Sequence, residues 1–166
     1  DWTLRLWVAD GTEIAVLRGH EGEVKGAREL RDGRLLSWSE DKTLRLWAAD
    51  GTERAVLRGH EGSVEGALEL RDGRLLSWAD WRDNTLRLWA AEGIELTTLR
   101  VHVGPFGKVQ ELQDGRLLYQ SSPPSSLQLW AADGSELPAP DGCTSALELR
   151  DGRLLAWWND ALRIDD

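Results

Sequence analysis

Histidine, serine and aspartate recur together along this chain in a pattern that could support hydrolytic chemistry. Two segments carry the set, one period apart: His20, Ser37 and Asp41, then His60, Ser77 and Asp83. In a catalytic triad, histidine takes the proton of the serine hydroxyl and aspartate orients the histidine. Two near-identical copies argue against catalysis, since an active site is usually needed once, and neither serine lies in a Gly-x-Ser-x-Gly turn. We therefore interpret both sets as structural and predict no enzyme, with a hydrolase or small-ligand site as a remote alternative.

The two sets belong to a tandem repeat of about 40 residues. Residues 1–40 and 41–80 match at 32 of 40 positions. Thr-Leu-Arg-Leu-Trp stands at 3–7, 43–47 and 85–89, and weakens to Ser-Leu-Gln-Leu-Trp at 126–130. Asp-Gly-Arg-Leu-Leu begins at positions 32, 72, 114 and 151. We predict a single domain of four repeats, at about 1–40, 41–82, 83–124 and 125–166.

Short strands must position these repeated side chains. Turn signals, mostly Asp-Gly pairs, punctuate the sequence every 8 to 12 residues, and helical periodicity is absent. Within 43–47, Leu44 and Leu46 face one side of a strand and the other three residues face the opposite side. We predict strands at 2–7, 13–17, 24–30, 34–39, 43–47, 53–57, 64–70, 74–79, 85–89, 94–99, 107–112, 116–120, 126–130, 135–138, 143–149, 153–158 and 161–164.

The repeat resembles the WD40 repeat. The resemblance rests on Arg-Gly-His-Glu-Gly at 18–22 and 58–62, on the Asp-Gly-Arg-Leu-Leu-Ser strand, and on an Asp before Thr-Leu-Arg-Leu-Trp. It covers nearly the whole chain. It implies an all-β fold of WD40-like β-propeller blades, four four-stranded antiparallel blades per chain, and a non-catalytic role in protein–protein interaction. The Asp that usually follows the strand Trp is missing, but that position varies within the family.

The resemblance also implies a role for the His, Ser and Asp sets. In WD40 repeats such residues form a buried hydrogen-bonded network with the strand tryptophan. The implied networks are His20, Ser37, Asp41 and Trp47, and His60, Ser77, Asp83 and Trp89, with Ser39 as an alternative to Ser37. The third repeat keeps His102 but has no Asp in 120–126, and the last keeps Asp160 but has no His. Trp7 and Trp130 are expected in the core like their counterparts.

Four blades make only part of an ordinary ring, because WD40 rings usually hold seven or eight. Residues 2–7 and 13–17 supply third and fourth strands without a first or second, and the last repeat lacks a fourth strand. We expect a homodimer that forms an eight-bladed ring, in which 2–7 and 161–164 compete for one third-strand place. The alternatives are a strained four-bladed ring, a fragment of a longer propeller, and a purely architectural repeat unit, recently amplified or engineered.

Candidate partner-binding residues lie where the repeat pattern breaks. Trp81 and Arg82 form an insertion of two residue types that are enriched at interface hot spots. In WD40 proteins the loop between the second and third strands lies on a rim where partners dock. Two further positions differ between the most similar repeats: Glu23 becomes Ser63, and Lys25 becomes Glu65. All six residues are candidates for contact with a protein partner that the sequence leaves unidentified.

Composition limits the remaining function classes. The net charge is −9 and the arginines are spread along the chain, which disfavours nucleic acid and anionic membranes as partners. The three histidines lie in repeated loops and no Cys-x-x-Cys pair occurs, so we predict no metal and no cofactor. The single cysteine, Cys143, and the lack of a leader before residue 1 lead us to expect a cytoplasmic protein.

Overall fold

A computed structural model describes residues 1–101, 107–121, 127–139, 143 and 145–157. Within these ranges the chain forms sixteen β-strands and no helix. The strands are β1 Leu4–Trp7, β2 Glu13–Leu17, β3 Val24–Glu29, β4 Leu35–Ser39, β5 Leu44–Trp47, β6 Glu53–Leu57, β7 Val64–Glu69, β8 Leu75–Ala79, β9 Thr85–Trp89, β10 Glu95–Arg100, β11 Gly107–Glu111, β12 Leu117–Ser121, β13 Leu127–Trp130, β14 Glu136–Leu137, β15 Ser145–Glu148 and β16 Leu154–Trp157.

The described strands pair antiparallel, each with its neighbour in the chain, and form three complete blades and two half blades. The complete blades are β3–β6, β7–β10 and β11–β14, which we call the first, second and third blades. The N-terminal half blade is β1–β2, and the C-terminal half blade is β15–β16. The predicted all-β fold of WD40-like blades is confirmed. The fourth repeat contributes only the two strands of the C-terminal half blade among the described residues, and the predicted strand 161–164 lies outside them.

Most predicted strands end within a residue or two of the observed strands. The exception in length is 135–138, where only Glu136–Leu137 pairs with β13. Pro138 follows directly and has no backbone N–H to continue the ladder.

The chain divides into two compact units, Asp1–Arg100 and Val101–Asp166. In the first unit, the leucine face of the first blade packs on the second blade. This core contains Leu36, Leu44, Leu46 and Leu57 together with Val64, Ala67, Leu75 and Trp89. In the second unit, Leu112, Leu118, Leu127 and Leu129 pack with Cys143 and Ala146 of the C-terminal half blade. Each interface thus joins the leucine face of one blade to the start of the next.

The β3–β4 hairpin shows how the repeat fixes its local geometry. Gly33 adopts a φ of 84°, and its N–H donates to the Leu30 carbonyl. The Asp32 carboxylate accepts the Arg34 N–H at 3.1 Å, which closes the turn. The Trp38 ring lies over Gly26, where a Cβ would meet the indole at 2.4 Å. Gly33 therefore allows the backbone conformation of the turn, whereas Gly26 leaves space for the Trp38 ring.

Trp7 contradicts the prediction that all four strand tryptophans lie in the core. Its side chain is 53% exposed, whereas Trp47, Trp89 and Trp130 are 1–2% exposed. The reason is that Trp7 ends a third strand whose second strand is missing from the N-terminal half blade. Within the N-terminal half blade, no first or second strand lies beside this indole.

Candidate functional site

The first blade brings His20, Ser37, Asp41 and Trp47 into one hydrogen-bonded chain. The Trp47 Nε1–H donates to Ser37 Oγ at 2.9 Å. Ser37 Oγ lies 2.8 Å from His20 Nε2, and His20 Nδ1 lies 2.8 Å from Asp41 Oδ2. Strand β4 supplies the serine and β5 the tryptophan, whereas the histidine precedes β3 and the aspartate lies in the β4–β5 turn. The network therefore links the segment before β3 and the β4–β5 turn to the two middle strands of the blade.

The second blade repeats this arrangement with His60, Ser77, Asp83 and Trp89. Trp89 Nε1 lies 2.9 Å from Ser77 Oγ, which lies 2.8 Å from His60 Nε2. His60 Nδ1 lies 2.6 Å from Asp83 Oδ2. The insertion of two residues in the β8–β9 turn leaves the network intact, because Asp83 and the start of β9 shift together.

The hydrogen-bond partners determine where the protons lie. An indole N–H only donates and an ionised carboxylate only accepts, so the His20 Nδ1 atom carries the proton that Asp41 accepts. The remaining nitrogen, Nε2, then accepts the hydroxyl proton of Ser37. In this form every donor has an acceptor. A second proton on His20 would displace the Ser37 hydroxyl proton, so the network favours the neutral imidazole.

The titration of these groups follows from burial and hydrogen bonding. Burial lowers the pKa of His20, although the Asp41 carboxylate opposes the shift. Burial alone would raise the pKa of Asp41, but hydrogen bonds from Thr43, the Glu21 N–H and His20 outweigh it, and the pKa is lowered. The same balance, with His60 and Thr85 as the main donors, lowers the pKa of Asp83 to about 2. Both aspartates are ionised at neutral pH.

The geometry resembles a catalytic triad, but the surroundings favour a structural role. Ser37 and Ser77 are fully buried, and each hydroxyl already accepts a hydrogen bond from a tryptophan. A serine nucleophile needs an approach path to a carbonyl carbon and donors for the resulting oxyanion. Here the donor to each serine hydroxyl is the buried indole of a strand tryptophan. The arrangement cross-links a blade.

Sequence reasoning missed two members of the networks, Thr43 and Thr85, and left open the choice between Ser37 and Ser39. Thr43 Oγ1 donates to Asp41 Oδ1 at 2.6 Å, and Thr85 makes the same bond to Asp83. The repeated Thr that opens Thr-Leu-Arg-Leu-Trp was the available signal. Ser37 joins the network, while the Ser39 hydroxyl donates to the Gly22 carbonyl at 3.0 Å instead.

A repeated ion pair was also missed. It links the third and fourth strands in three places, as Arg5 with Glu13, Arg45 with Glu53, and Arg87 with Glu95. The eight-residue spacing, Arg-x₇-Glu, is present in each of these repeats and could have revealed it.

The network is confined to the first and second blades among the described residues. Tyr119 occupies the Ser37 position of the third blade, and Ala156 occupies it in the C-terminal half blade. His102 and Asp160, which the repeat pattern singled out, lie outside the described residues. The third blade still buries Trp130.

The partner-binding candidates Trp81 and Arg82 lie together in the β8–β9 turn. Trp81 is 58% exposed, and the Arg82 guanidinium carbon lies 5.1 Å from the centre of its ring. The Asn84 side chain donates to the Trp81 carbonyl at 2.8 Å, and the Arg82 N–H donates to the Asp80 carboxylate at 3.0 Å. These bonds hold the turn in one conformation, so the exposed aromatic side chain is presented on an ordered loop.

The other four candidates divide by exposure. Glu23, Lys25 and Glu65 are exposed, and Lys25 Nζ lies 2.9 Å from Glu23 Oε2. Ser63 is buried in the single chain, and its contact with a partner stays a prediction. The start of β7 is buried, whereas the start of β3 in the first blade is only partly buried. The Ser63 carbonyl accepts the Asp80 N–H.

Two negative findings apply to the described parts of the chain. No group of three or more histidine, cysteine, aspartate or glutamate side chains is arranged to hold a metal ion. The same residues include no helix of the length and apolarity that crossing a membrane requires.

The comparisons with known proteins bear on the fold. No protein-family model matches the sequence, and no curated protein matches it. The WD40 β-propeller domain of Doa1 superposes with a TM-score of 0.64 at 21% identity, covering 93% of this chain and 54% of that one. The computationally designed Ika4 protein superposes with a TM-score of 0.67 at 20% identity, covering 89% of this chain and 98% of that one.

The chain therefore spans about half the length of the Doa1 domain and nearly the whole of Ika4. Both similarities are to propellers, and both run across nearly all of the repeats. The blade order, the strand register and these two neighbours agree, and the chain has the WD40-like β-propeller fold.

Proposed function

We propose that this chain is a non-catalytic β-propeller scaffold for protein–protein interaction, and that two copies associate to complete one eight-bladed ring. The observation that carries the proposal is that each end of the chain forms a two-stranded half blade. The N-terminal half blade supplies third and fourth strands, and the C-terminal half blade supplies first and second strands. Two copies exchanging these halves would hold six complete blades and two shared ones.

The size of one neighbour, the Doa1 domain, supports a ring larger than four blades. This chain covers 54% of the Doa1 propeller domain, so blades of this kind occur in a ring of about twice this length. An open blade face would leave apolar side chains and strand edges in water, which favours association. Trp7, Leu147 and Leu155, all of the half blades, are more than half exposed in the single chain.

Light scattering on the purified 166-residue chain tests self-association. We expect a mass twice that of the chain. The Leu155→Glu variant places a charge on the exposed leucine of the C-terminal half blade and should have the mass of a monomer. The matched control is Ile94→Glu, which alters another exposed apolar residue, in the β9–β10 turn, and should remain a dimer. A monomeric wild-type chain would overturn the proposal.

We also propose that the turn with Trp81 and Arg82 contacts a separate protein partner. The support is an exposed tryptophan with a stacked arginine on an ordered loop. In affinity capture, a partner should bind wild type and the Ile94→Ala control but not a Trp81→Ala, Arg82→Ala double variant. If no captured protein depends on these two side chains, this face has no such role, and the architectural alternative gains support.

A further inference from the structure

We propose that a slot beside the N-terminal half blade seats strands β15 and β16 of a second copy, in the register that β4 and β5 adopt within one blade. The inference rests on the proposed self-association and names the contacts that would carry it. Three features support it: an apolar cavity with a matching side chain, two strands that each pair with a single strand among the described residues, and polar groups with partners elsewhere in the repeat.

The slot is a cavity of about 240 Å³ between the N-terminal half blade and the first blade. Leu4, Leu6 and Leu17 line one side, and Ala27 and Leu35 lie on the other. The cavity exists because the half blade presents its leucine face without the two inner strands that would fill the remaining space.

The next interface along the chain shows what fills this position. There Leu36 of the first blade shares a core cluster with Val64, Ala67 and Leu75 of the second, which are at most 4% exposed. Their counterparts in the first blade are less covered: Val24 and Leu35 are only partly buried, and Ala27 is exposed. Sequences this similar differ in burial because their neighbours differ.

Leu155 is the side chain that matches the vacant position. It occupies the place of Leu36, Leu76 and Leu118 in the repeat, and those leucines are fully buried. Leu155 is 52% exposed in the single chain. Seated in the slot of a second copy, it would contact Leu6 of the half blade and the Ala27 and Leu35 face of the first blade.

The strand edges define the register. Among the described residues, β1 pairs only with β2, and β16 pairs only with β15. In both the first and second blades the leucine after Asp-Gly-Arg lies opposite the strand tryptophan, as Leu35 opposite Trp47 and Leu75 opposite Trp89. The same rule places the following residues of the two copies opposite each other: Leu154 and Trp7, Leu155 and Leu6, Ala156 and Arg5, Trp157 and Leu4.

Polar groups supply an independent match. The Arg31 backbone N–H donates to Glu69 Oε2 at 2.9 Å, and its guanidinium donates to the Leu70 and Arg71 carbonyls at 2.8 Å each. These bonds join the first blade to the second. The corresponding residues at the open ends are Arg150 and Glu29, which are both exposed.

Arg153 differs from its counterpart in the first blade in the same way. In the first blade, Arg34 donates to the Ala91 carbonyl of the second blade, and its side chain is 25% exposed. The Arg153 side chain is 76% exposed. By the repeat, its partner would be the Ala49 carbonyl of the second copy. In the proposed register, Arg150 and Arg153 of one copy would therefore face Glu29 and the Ala49 carbonyl of the other.

A disulfide between copies tests the register. Cys143 is first replaced by valine, which the repeat carries at positions 24 and 64. One chain then carries Arg5→Cys and another Ala156→Cys, and the two are unfolded, mixed and refolded before oxidation. The Cα atoms of directly opposed strand residues lie about 4.5–5.5 Å apart, within the Cα–Cα range that a disulfide spans. We expect a reducible band at twice the chain mass.

The matched control pairs Arg5→Cys with Leu154→Cys. Leu154 lies on the same strand face as Ala156 but two residues away, so this pair should cross-link at least tenfold less. Equal or reversed yields, with a dimeric mass by light scattering, would overturn the register but leave the proposed self-association intact.

A chain carrying both Arg5→Cys and Ala156→Cys distinguishes the occupant. A cross-link within single chains, with no band at twice the mass, would show that the chain's own end fills the slot and would overturn the second copy as occupant. A monomeric mass without cross-linking would overturn both this inference and the proposed self-association.

Discussion

At the scale of single residues, the first two blades depend on buried polar groups that satisfy one another. Ser37 is central, since it accepts the Trp47 indole proton and donates to His20. A buried group without a partner destabilises by about 1–3 kcal/mol. The same residue types that suggest a hydrolase therefore act here as cross-links, and the distinction lies in burial and in the partner of the serine hydroxyl.

Replacing Ser37 with alanine should lower the free energy of unfolding by about 2 kcal/mol, because Trp47 Nε1 and His20 Nε2 each lose their partner. Urea denaturation followed by tryptophan fluorescence measures the change. Ser77→Ala should have a similar effect, since the second blade repeats the geometry. A change below about 0.5 kcal/mol in both variants would contradict the structural role.

The lowered pKa of His20 predicts a pH dependence. Because the folded-state pKa lies below the ordinary 6.5, the unfolded chain takes up a proton first as the pH falls. The stabilisation is therefore complete above pH 6.5 and is lost as the pH falls through 6.5 toward the folded-state pKa. Unfolding free energies measured from pH 8 to 5 should decline, with a smaller decline in His20→Gln. A steeper decline in that variant would contradict the assignment.

At the scale of elements, a blade's strands are set by turn glycines and by the alternation of leucines with polar residues. The leucine face of 43–47 and the hairpin turns were predictable because period-two alternation and Asp-Gly turns are local signals. The contact between Trp38 and Gly26 was not predictable, since it depends on the register between β3 and β4.

Gly26→Ala tests that contact. A Cβ there would lie 2.4 Å from the Trp38 ring, so the variant should be destabilised by about 1–3 kcal/mol. Adding Trp38→Leu should recover part of this loss in a double-mutant cycle, because the smaller side chain vacates the space. Lys25→Ala, at the exposed neighbouring position of the same strand, is the control and should change stability by less than about 0.5 kcal/mol. Additive effects of the Gly26 and Trp38 substitutions would contradict the packing.

The exposure of Trp7 marks the limit of prediction from the sequence. The residue sits in the same phrase as Trp47, so local sequence assigns both to the core. Burial depends on a neighbouring strand, and the neighbours of β1 are determined by how many blades one chain holds. The network residues were implied by the WD40 resemblance of the repeat, whereas the burial of Ser63 has no signal in its own sequence segment.

At the scale of the whole molecule, the proposed ring would contain a shared blade that differs from the others. Ala156 stands where the first two blades have serine, so the shared blade has no hydroxyl to accept the Trp7 indole proton. Its join would depend on strand pairing, Leu155 and arginine contacts. We therefore expect the ring to open there first, before any complete blade unfolds.

Hydrogen–deuterium exchange as a function of protein concentration tests the completion of the shared blade most directly. At high concentration, the backbone amides of Leu4–Trp7 and Leu154–Trp157 should be protected like those of β5. On dilution, both segments should lose protection together while the first and second blades keep theirs. Rapid exchange in both segments at every concentration, or protection that does not change with concentration, would contradict completion of the ring by a second copy.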